Sequence, residues 1–409
     1  MPVYSYTFKD AAGTIQKGTQ EAENEELLRK RFEEQGFQIT EVTVLKGVKT
    51  KKRSYGKVKL NHLTIFCRQF STMVDAGVSL VRCLDVLSRQ TQDPKLKRML
   101  VDIGEKVEGG ESLSRAMMRH PRTFNNLFIG LIKAGEVGGV LEESLQRLSQ
   151  FLEKDVELRR KVKAALTYPV LVMVAALGIV IFLVAWVVPN FAQLFKDIGL
   201  KEDDFPGMTK FLIDLSATFT QRWWMYLVAV VTITVGWRLF KGTRFGLRVA
   251  DRLKLKVPVF GKLHHKVCMA RFARTMGTLL TSGVPILQAM ETVAGTVGNS
   301  VMSDAVLDAR ARIREGDRIG DPLEASRLFP PMVVHMISVG EESGSLDYML
   351  QKIADFYESE VEAALASLTA ALEPVLIVFL GFVVGFIVIA MFLPLVKVIE
   401  SLSSGAGDS

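Results

Sequence analysis

The side chains that most often carry chemistry are few in this chain, and their spacing is poor for catalysis. His264 and His265 are neighbours, so on a helix their side chains diverge by about 100° and do not form a two-ligand metal site. None of the three cysteines lies in a C-x-x-C spacing. The phosphate-binding pattern G-x-x-x-x-G-K-S/T is absent, as are H-E-x-x-H and G-x-S-x-G. We therefore expect no enzyme activity, no metal and no cofactor.

A more specific pattern, Gly-Glu-x-x-Gly-x-Leu, occurs twice with a shift of 205 residues, from Gly135 and again from Gly340. We interpret these two glycines as C′ residues that end a helix. Glu136 and Glu341 would then lie just before the next helix, where carboxylates favour exposed N–H groups. The pattern predicts a rigid helical corner, and a second interpretation, a partner-docking corner, stays open. Its later glycines are Gly139 and Gly344.

Other anchors recur in the same order, which indicates an internal duplication. The stretch from Phe66 to Leu80 returns from Phe272 to Ile286, with a shift of 206 residues. It carries Arg68 and Arg274, which we expect to form ion pairs rather than to catalyse. Four prolines lie at the borders of the apolar runs and are expected to kink or restart a helix there. They are Pro169, Pro189, Pro374 and Pro394.

Composition indicates a membrane protein with sizeable soluble domains. The chain has 409 residues, of which 49% are hydrophobic and 23% charged, and its mean hydropathy is +0.23. Three apolar runs are candidate spans, at residues 170–189, 223–240 and 374–395. None has a charge at its centre, which argues against a transporter or channel. Gly381-x-x-x-Gly385 is either a face for another helix or ordinary span glycine.

Basic residues beside the spans predict their orientation. They precede the first span, follow the second, and are scarce after the third: Arg159, Arg160, Lys161, Lys163, Lys241, Arg244, Arg248, Arg252, Lys254 and Lys256. The N-terminus and residues 241–373 are therefore expected in the cytoplasm. Residues 190–222 form an extracytoplasmic loop, and residues 396–409 form a tail on that same side. The charge of +7 belongs to these flanks, so we expect no direct contact with nucleic acid.

Hydrophobic periodicity divides the cytoplasmic part into units. Residues 1–46 alternate as strands around a helix at 25–35, which predicts a small α/β module. Residues 47–60 form a basic linker that is either solvated or attracted to anionic lipid. Residues 61–169 and 241–373 form two homologous helical domains of about six helices each. The fold class is a mainly α membrane protein with two cytoplasmic helical bundles and three transmembrane helices.

These residues together resemble the type II secretion F-domain family. The resemblance rests on the duplicated F-x-R core, the repeated Gly-Glu pattern, the sequence before Pro169 and the exit at Val188-Pro-Asn-Phe191. It implies a homo-oligomeric inner-membrane platform that couples a hexameric ATPase to insertion, and in some systems removal, of pilin subunits at a fibre base. Implied partners also include a retraction ATPase, other inner-membrane alignment proteins and membrane lipids. Overall similarity favours a type IV pilus, with the type II secretion system as the alternative and a transporter as a more distant one.

Overall fold

The computed structural model describes residues 3–9, 15–21, 38–44, 58–197, 205–258 and 260–405. The chain divides into two compact units, residues 1–57 and residues 58–409. Each is described by itself.

The N-terminal unit contains a three-stranded antiparallel sheet. Its strands are β1 (Val3–Lys9), β2 (Ile15–Glu21) and β3 (Gln38–Val44), and β1 lies in the centre. Tyr6 pairs with Gly18 on one side and with Val42 on the other. These strands agree with the alternation in the sequence. The helix predicted for residues 25–35 and the linker residues 47–57 lie outside the described residues.

The first helical domain packs six helices into one bundle. Their bounds are α1 (Leu60–Asp75), α2 (Leu80–Gln90), α3 (Pro94–Glu108), α4 (Leu113–Met118), α5 (Asn126–Gly138) and α6 (Leu141–Phe182). Phe66 and Phe70, one turn apart on α1, stack with ring centroids 5.4 Å apart and are both buried. Leu84, Leu100 and Phe128 from the following helices are also buried. The apolar stripe at helical spacing therefore forms the core of the bundle.

The second helical domain repeats this order. Its helices are α11 (Phe260–Thr281), α12 (Ile286–Thr296), α13 (Ser300–Glu315), α14 (Gly320–Ala325), α15 (Pro331–Glu342) and α16 (Leu346–Gly405). A further helix, α10 (Arg244–Lys256), precedes them. Two homologous units of about six helices each are thus confirmed for the described part of the chain.

Three helices are long and apolar enough to cross a membrane, as expected. The first span continues from α6 through a π-helical segment, Leu183–Val187, into α7 (Val188–Asp197). The second is α9 (Trp223–Gly242), and α16 contains the third. Each outer span is therefore the direct extension of the last helix of a domain.

Three of the four border prolines lie inside continuous helices, and the fourth lies near the start of α7. Pro169 lies inside α6, and Pro374 and Pro394 lie inside α16. Pro189 is the second residue of α7 and directly follows the π-helical segment Leu183–Val187. A π-helical segment next to a proline changes the local hydrogen-bond pattern of a helix. The sequence predicted a kink or a restart at each border. The helices do not restart at Pro169 or Pro374, and a kink there stays a prediction.

The predicted extracytoplasmic loop contains a helix that holds two spans together. This helix, α8 (Gly207–Gln221), contributes Leu212 to an apolar cluster with residues of the first and third spans. The Ser216 hydroxyl donates to the Val184 carbonyl at 2.6 Å, and the Thr209 hydroxyl donates to the Ala390 carbonyl. Since all four groups are buried, α8 fixes the ends of these spans relative to each other.

The span glycines have open surroundings within this chain. A Cβ added at Gly178, Gly381 or Gly385 would meet no neighbouring atom within 4 Å. Gly381 and Gly385 are therefore not used for helix packing among the described residues, and the choice between a helix-binding face and ordinary span glycine stays a prediction.

Candidate functional site

The two repeated glutamates cap short helices rather than the helices that follow them. Glu136 lies on α5, and both of its carboxylate oxygens accept from the Ser114 N–H, at 3.2 and 3.3 Å. Glu341 lies on α15 and accepts from the Ile319 N–H at 2.8 and 3.1 Å. Each carboxylate thus satisfies the N-terminal backbone of α4 or α14. The position predicted for both glutamates, just before the next helix, was wrong.

Gly135 and Gly340 do not end their helices either, so the C′ assignment was wrong. Both lie inside α5 and α15, whereas Gly139 and Gly344 have left-handed backbone with φ of 69° and 68°. A left-handed residue after a helix is the geometry that favours glycine. The glycines that end the helices are therefore Gly139 and Gly344, the later glycines of each pattern.

Gly135 and Gly340 instead allow two helices to approach closely. A Cβ on Gly135 would lie 2.5 Å from the Ser144 Oγ and 3.0 Å from the Leu141 Cα. A Cβ on Gly340 would lie 2.9 Å from the Leu346 Cα. Leu141 and Leu346 are the first residues of α6 and α16. The repeated pattern therefore seats the start of each spanning helix on the helix before it.

The exposed side chains of the two corners differ in chemistry. In the first corner Val137 is 83% exposed and Val140 is 48% exposed. In the second, the exposed Glu342 accepts from Arg318 at 2.9 Å. One corner presents apolar surface and the other presents a charged pair, although their backbones are equivalent.

The repeated arginines form ion pairs, in agreement with the expectation. Arg68 on α1 lies 3.6 Å from Glu153 on α6, and its side chain is 75% exposed. Arg274 on α11 donates to Glu358 at 2.9 Å and to Asp355 at 2.6 Å, and is only 19% exposed. Burial of Arg274 alone would lower its pKa, but its two carboxylate partners raise the pKa above the ordinary value. Each arginine therefore joins the first helix of its domain to the last helix, which continues into a span.

Two helix caps were missed by the sequence reasoning. Asp93 accepts from the Lys95 and Leu96 N–H groups at 2.8 and 3.3 Å. Burial acts to raise the pKa of Asp93, but these bonds and one to His62 lower it overall. Asn299, at the equivalent position, caps α13 in the same way. The signal was present, since a residue with capping preference precedes a helix at the same place in both copies.

The two helical domains contact each other through Arg147. This α6 side chain donates to the Thr281 carbonyl and lies 3.4 Å from the Ser282 Oγ at the end of α11. Lys161 on α6 donates to Glu362 on α16 at 2.5 Å. These contacts are not repeated by symmetry, and a duplicated pattern alone could not reveal them.

Among the described residues one cysteine lies beside a histidine, with the Cys268 Sγ 3.8 Å from the His264 Nε2. Burial raises the pKa of this thiol to about 11, so it stays protonated at neutral pH. No group of three His, Cys, Asp or Glu side chains that could hold a metal occurs among the described residues. The rings of His264 and His265 diverge, since the first lies beside Asn299 at 3.4 Å and the second beside the Leu328 carbonyl at 2.6 Å. Cys67, Cys83 and Cys268 are buried thiols.

Comparisons with known proteins agree with this architecture. The family profile described as Type II secretion system (T2SS), protein F matches residues 66–189 and 272–394. The N-terminal domain of the same protein matches residues 1–43. Type IV pilus assembly protein PilC of Thermus thermophilus is 43% identical, over 98% of this chain and all of that protein.

Two other relatives extend the range of similarity. Type IV pilus assembly protein PilC of Myxococcus xanthus is 42% identical, over 95% of this chain and 93% of that protein. Type II secretion system protein F of Vibrio cholerae is 34% identical, over 98% of this chain and all of that protein. With two matched repeats, a matched N-terminal domain and full-length relatives, the chain belongs to the type II secretion system protein F family.

Proposed function

We propose that this chain is the inner-membrane platform protein of a type IV pilus machine. The observation that carries the proposal is the continuity of α6 and α16 from a helical domain into a span. Helices of 42 and 60 residues extend over about 60 and 90 Å, so displacement of a domain would move the attached span. Greater identity to the pilus proteins than to the secretion protein favours the pilus.

The platform acts without chemistry of its own in this proposal. A cytoplasmic hexameric ATPase moves the helical domains, and the spans hand pilin subunits to or from the fibre base. Capped corners stiffen both domains, and the Arg274 pairs stiffen the second one further, which supports transmission of such displacement. Both helical domains and the N-terminus lie in the cytoplasm, because basic residues flank the start of the first span and the end of the second. The C-terminus lies in the periplasm, because basic residues are scarce after the third span.

A clean deletion in the native host tests this function. We expect loss of surface pili by electron microscopy, with secretion of proteins into the medium intact and pili restored by the wild-type gene. Loss of secretion with pili intact would assign the chain to a type II secretion system, the second candidate. Retention of both would overturn the platform role.

A further inference from the structure

A cleft between the two helical domains lies near the start of the first span and the end of the second. It has a volume of about 480 Å³ and is bounded by α6, the end of α10 and the first turns of α11. Its apolar wall includes Val162, Val257 and Phe260. Four cationic side chains complete the lining: Arg159, Lys163, Lys254 and Arg271. An apolar cavity rimmed by cations matches an amphiphile that carries a negative charge.

The cations of the cleft outnumber the acids that face it. Asp155 pairs with Arg159 at 2.8 Å and lies 3.8 Å from Arg271, and Asp251 pairs with Lys254 at 2.7 Å. Among the described residues, Lys163 has neither an ion-pair partner nor a side-chain hydrogen bond. The cleft therefore retains positive charge after its internal pairs are formed.

Arg271 is a partly enclosed cation of the cleft wall. The Nε of Arg271 is inaccessible to solvent and has no hydrogen-bond partner among the described residues. A buried guanidinium N–H without an acceptor is unfavourable, so this side chain is not fully satisfied by the protein itself. Because Nε is enclosed by protein atoms, a ligand in the cleft would meet the exposed part of the Arg271 side chain, which is 26% accessible. Phosphate oxygens are acceptors that arginine binds well.

The first wall of the cleft lies close to the membrane. Lys163 precedes Val170, the first residue of the first apolar run, by seven residues, or about 10 Å along α6. The first and second spans run in opposite directions, so the beginning of one and the end of the other share a membrane side. Lys163 and α10 are therefore on the same side, at the level of the lipid headgroups.

The second wall is attached directly to a span. Only Thr243 separates α9 from α10, and its hydroxyl accepts from the Gly246 N–H at 3.0 Å. A Cβ at Gly246 would lie 1.9 Å from the Phe240 carbonyl oxygen, so the corner is too tight for another residue type. The end of the second span thus holds α10 at the membrane boundary.

An exposed apolar stripe on α10 continues into the cleft. Phe245, Val249 and Leu253 are spaced by four residues and are 73%, 37% and 55% exposed. Val257 and Phe260, which line the cleft, are 40% and 46% exposed. Together with the arginines and lysines of α10, the stripe is typical of a helix that lies in the interface plane.

We propose that this cleft binds an anionic phospholipid of the adjoining leaflet. The phosphate lies among Lys163, Lys254 and Arg271, and an acyl chain lies against Val257 and Phe260. Such a lipid would bridge α6, which leads into the first span, and α10, which leaves the second. The lipid therefore joins the two helical domains at the membrane surface.

The test measures binding of palmitoyl-oleoyl-phosphatidylglycerol to the full-length protein in maltoside micelles by native mass spectrometry. The variant Lys163→Gln/Lys254→Gln removes two cations of the cleft, and we expect its dissociation constant to rise about tenfold. The control Arg160→Gln/Lys256→Gln removes the same charge from exposed neighbours on the same two helices that do not line the cleft. Its affinity should remain that of the wild type.

Three results would overturn the proposal. Equal weakening in both variants would mean unspecific attraction to a basic surface. Equal affinity for phosphatidylcholine would remove the role of the negative headgroup. Displacement of the lipid by millimolar glycerol phosphate, with no dependence on the alkyl chain, would assign the cleft to a soluble phosphate compound instead.

Discussion

The two helical domains repeat the same internal contacts but differ in how exposed those contacts are. A glutamate caps the short fourth helix in both, through Glu136 and Glu341. An arginine of the first helix pairs with a glutamate of the last in both, but Arg68 is 75% exposed and Arg274 is 19% exposed. The repeated contacts therefore define the bundle, and we expect the arginine pair to contribute more to the stability of the second bundle than to that of the first.

The two domains share the backbone geometry of the Gly-Glu corner but differ in the side chains that this corner exposes. Val137 is exposed in the first corner, while Glu342 and Arg318 form an exposed pair in the second. Duplication preserved the contacts that hold each bundle together and left the surface free to change. If the corners dock partners, we expect them to dock different ones.

The largest effect is expected at the glycines that the two domains share. Gly135→Ala and Gly340→Ala should each lower the free energy of unfolding by about 1–3 kcal/mol, because the new Cβ would collide with Ser144 or with the Leu346 backbone. Thermal unfolding of the purified protein measures this.

Gly130→Ala is the matched control for the glycine test. It lies on the same helix as Gly135, and an added Cβ would meet only the Leu279 side chain at 3.8 Å. We expect it to be neutral or slightly stabilising. Equal destabilisation at Gly130 and Gly135 would contradict the close approach of α5 and α6.

Replacing the equivalent arginines, Arg68 and Arg274, compares how much their ion pairs stabilise each domain. Arg274→Met should cost about 2 kcal/mol, because Glu358, whose side chain is only 20% exposed, loses its charged donor. Asp355 is 61% exposed and keeps contact with water. Arg68→Met should cost less than about 1 kcal/mol, since its pair is exposed and 3.6 Å long. Similar losses in chemical denaturation would remove the distinction between the domains.

Acid should weaken the first domain through the helix cap Asp93, because the equivalent cap of the second domain, Asn299, does not titrate. The folded pKa of Asp93 is lowered, so its contribution is present above the ordinary carboxyl pKa of about 3.9 and is lost as the pH falls through the folded value. Asp93→Asn copies Asn299 and should reduce the fall in melting temperature between about pH 5 and pH 3. An unchanged pH profile in this variant would contradict the role of Asp93.

The sequence predicted what periodicity and repetition control, namely three spans, two bundles and paired arginines. Long apolar runs and recurring stripes fix helix type, because they depend only on local spacing. The assignment of Gly135 and Gly340 as helix ends was wrong, because a glycine that permits close packing cannot be told in sequence from one that ends a helix. The contact of Arg147 with Thr281 and the packing of α8 on the spans depend on tertiary placement, which local pattern does not encode.

The structural role of the two repeated glutamates is tested most directly by measuring stability and pilus assembly together in Glu136→Ala and Glu341→Ala. The account predicts that each variant loses about 1 kcal/mol of stability, through the exposed N-terminus of α4 or α14, and that pilus assembly falls only in proportion to the folded protein in the membrane. Loss of pili with unchanged stability and unchanged protein level would contradict it, and would make the two carboxylates docking groups instead.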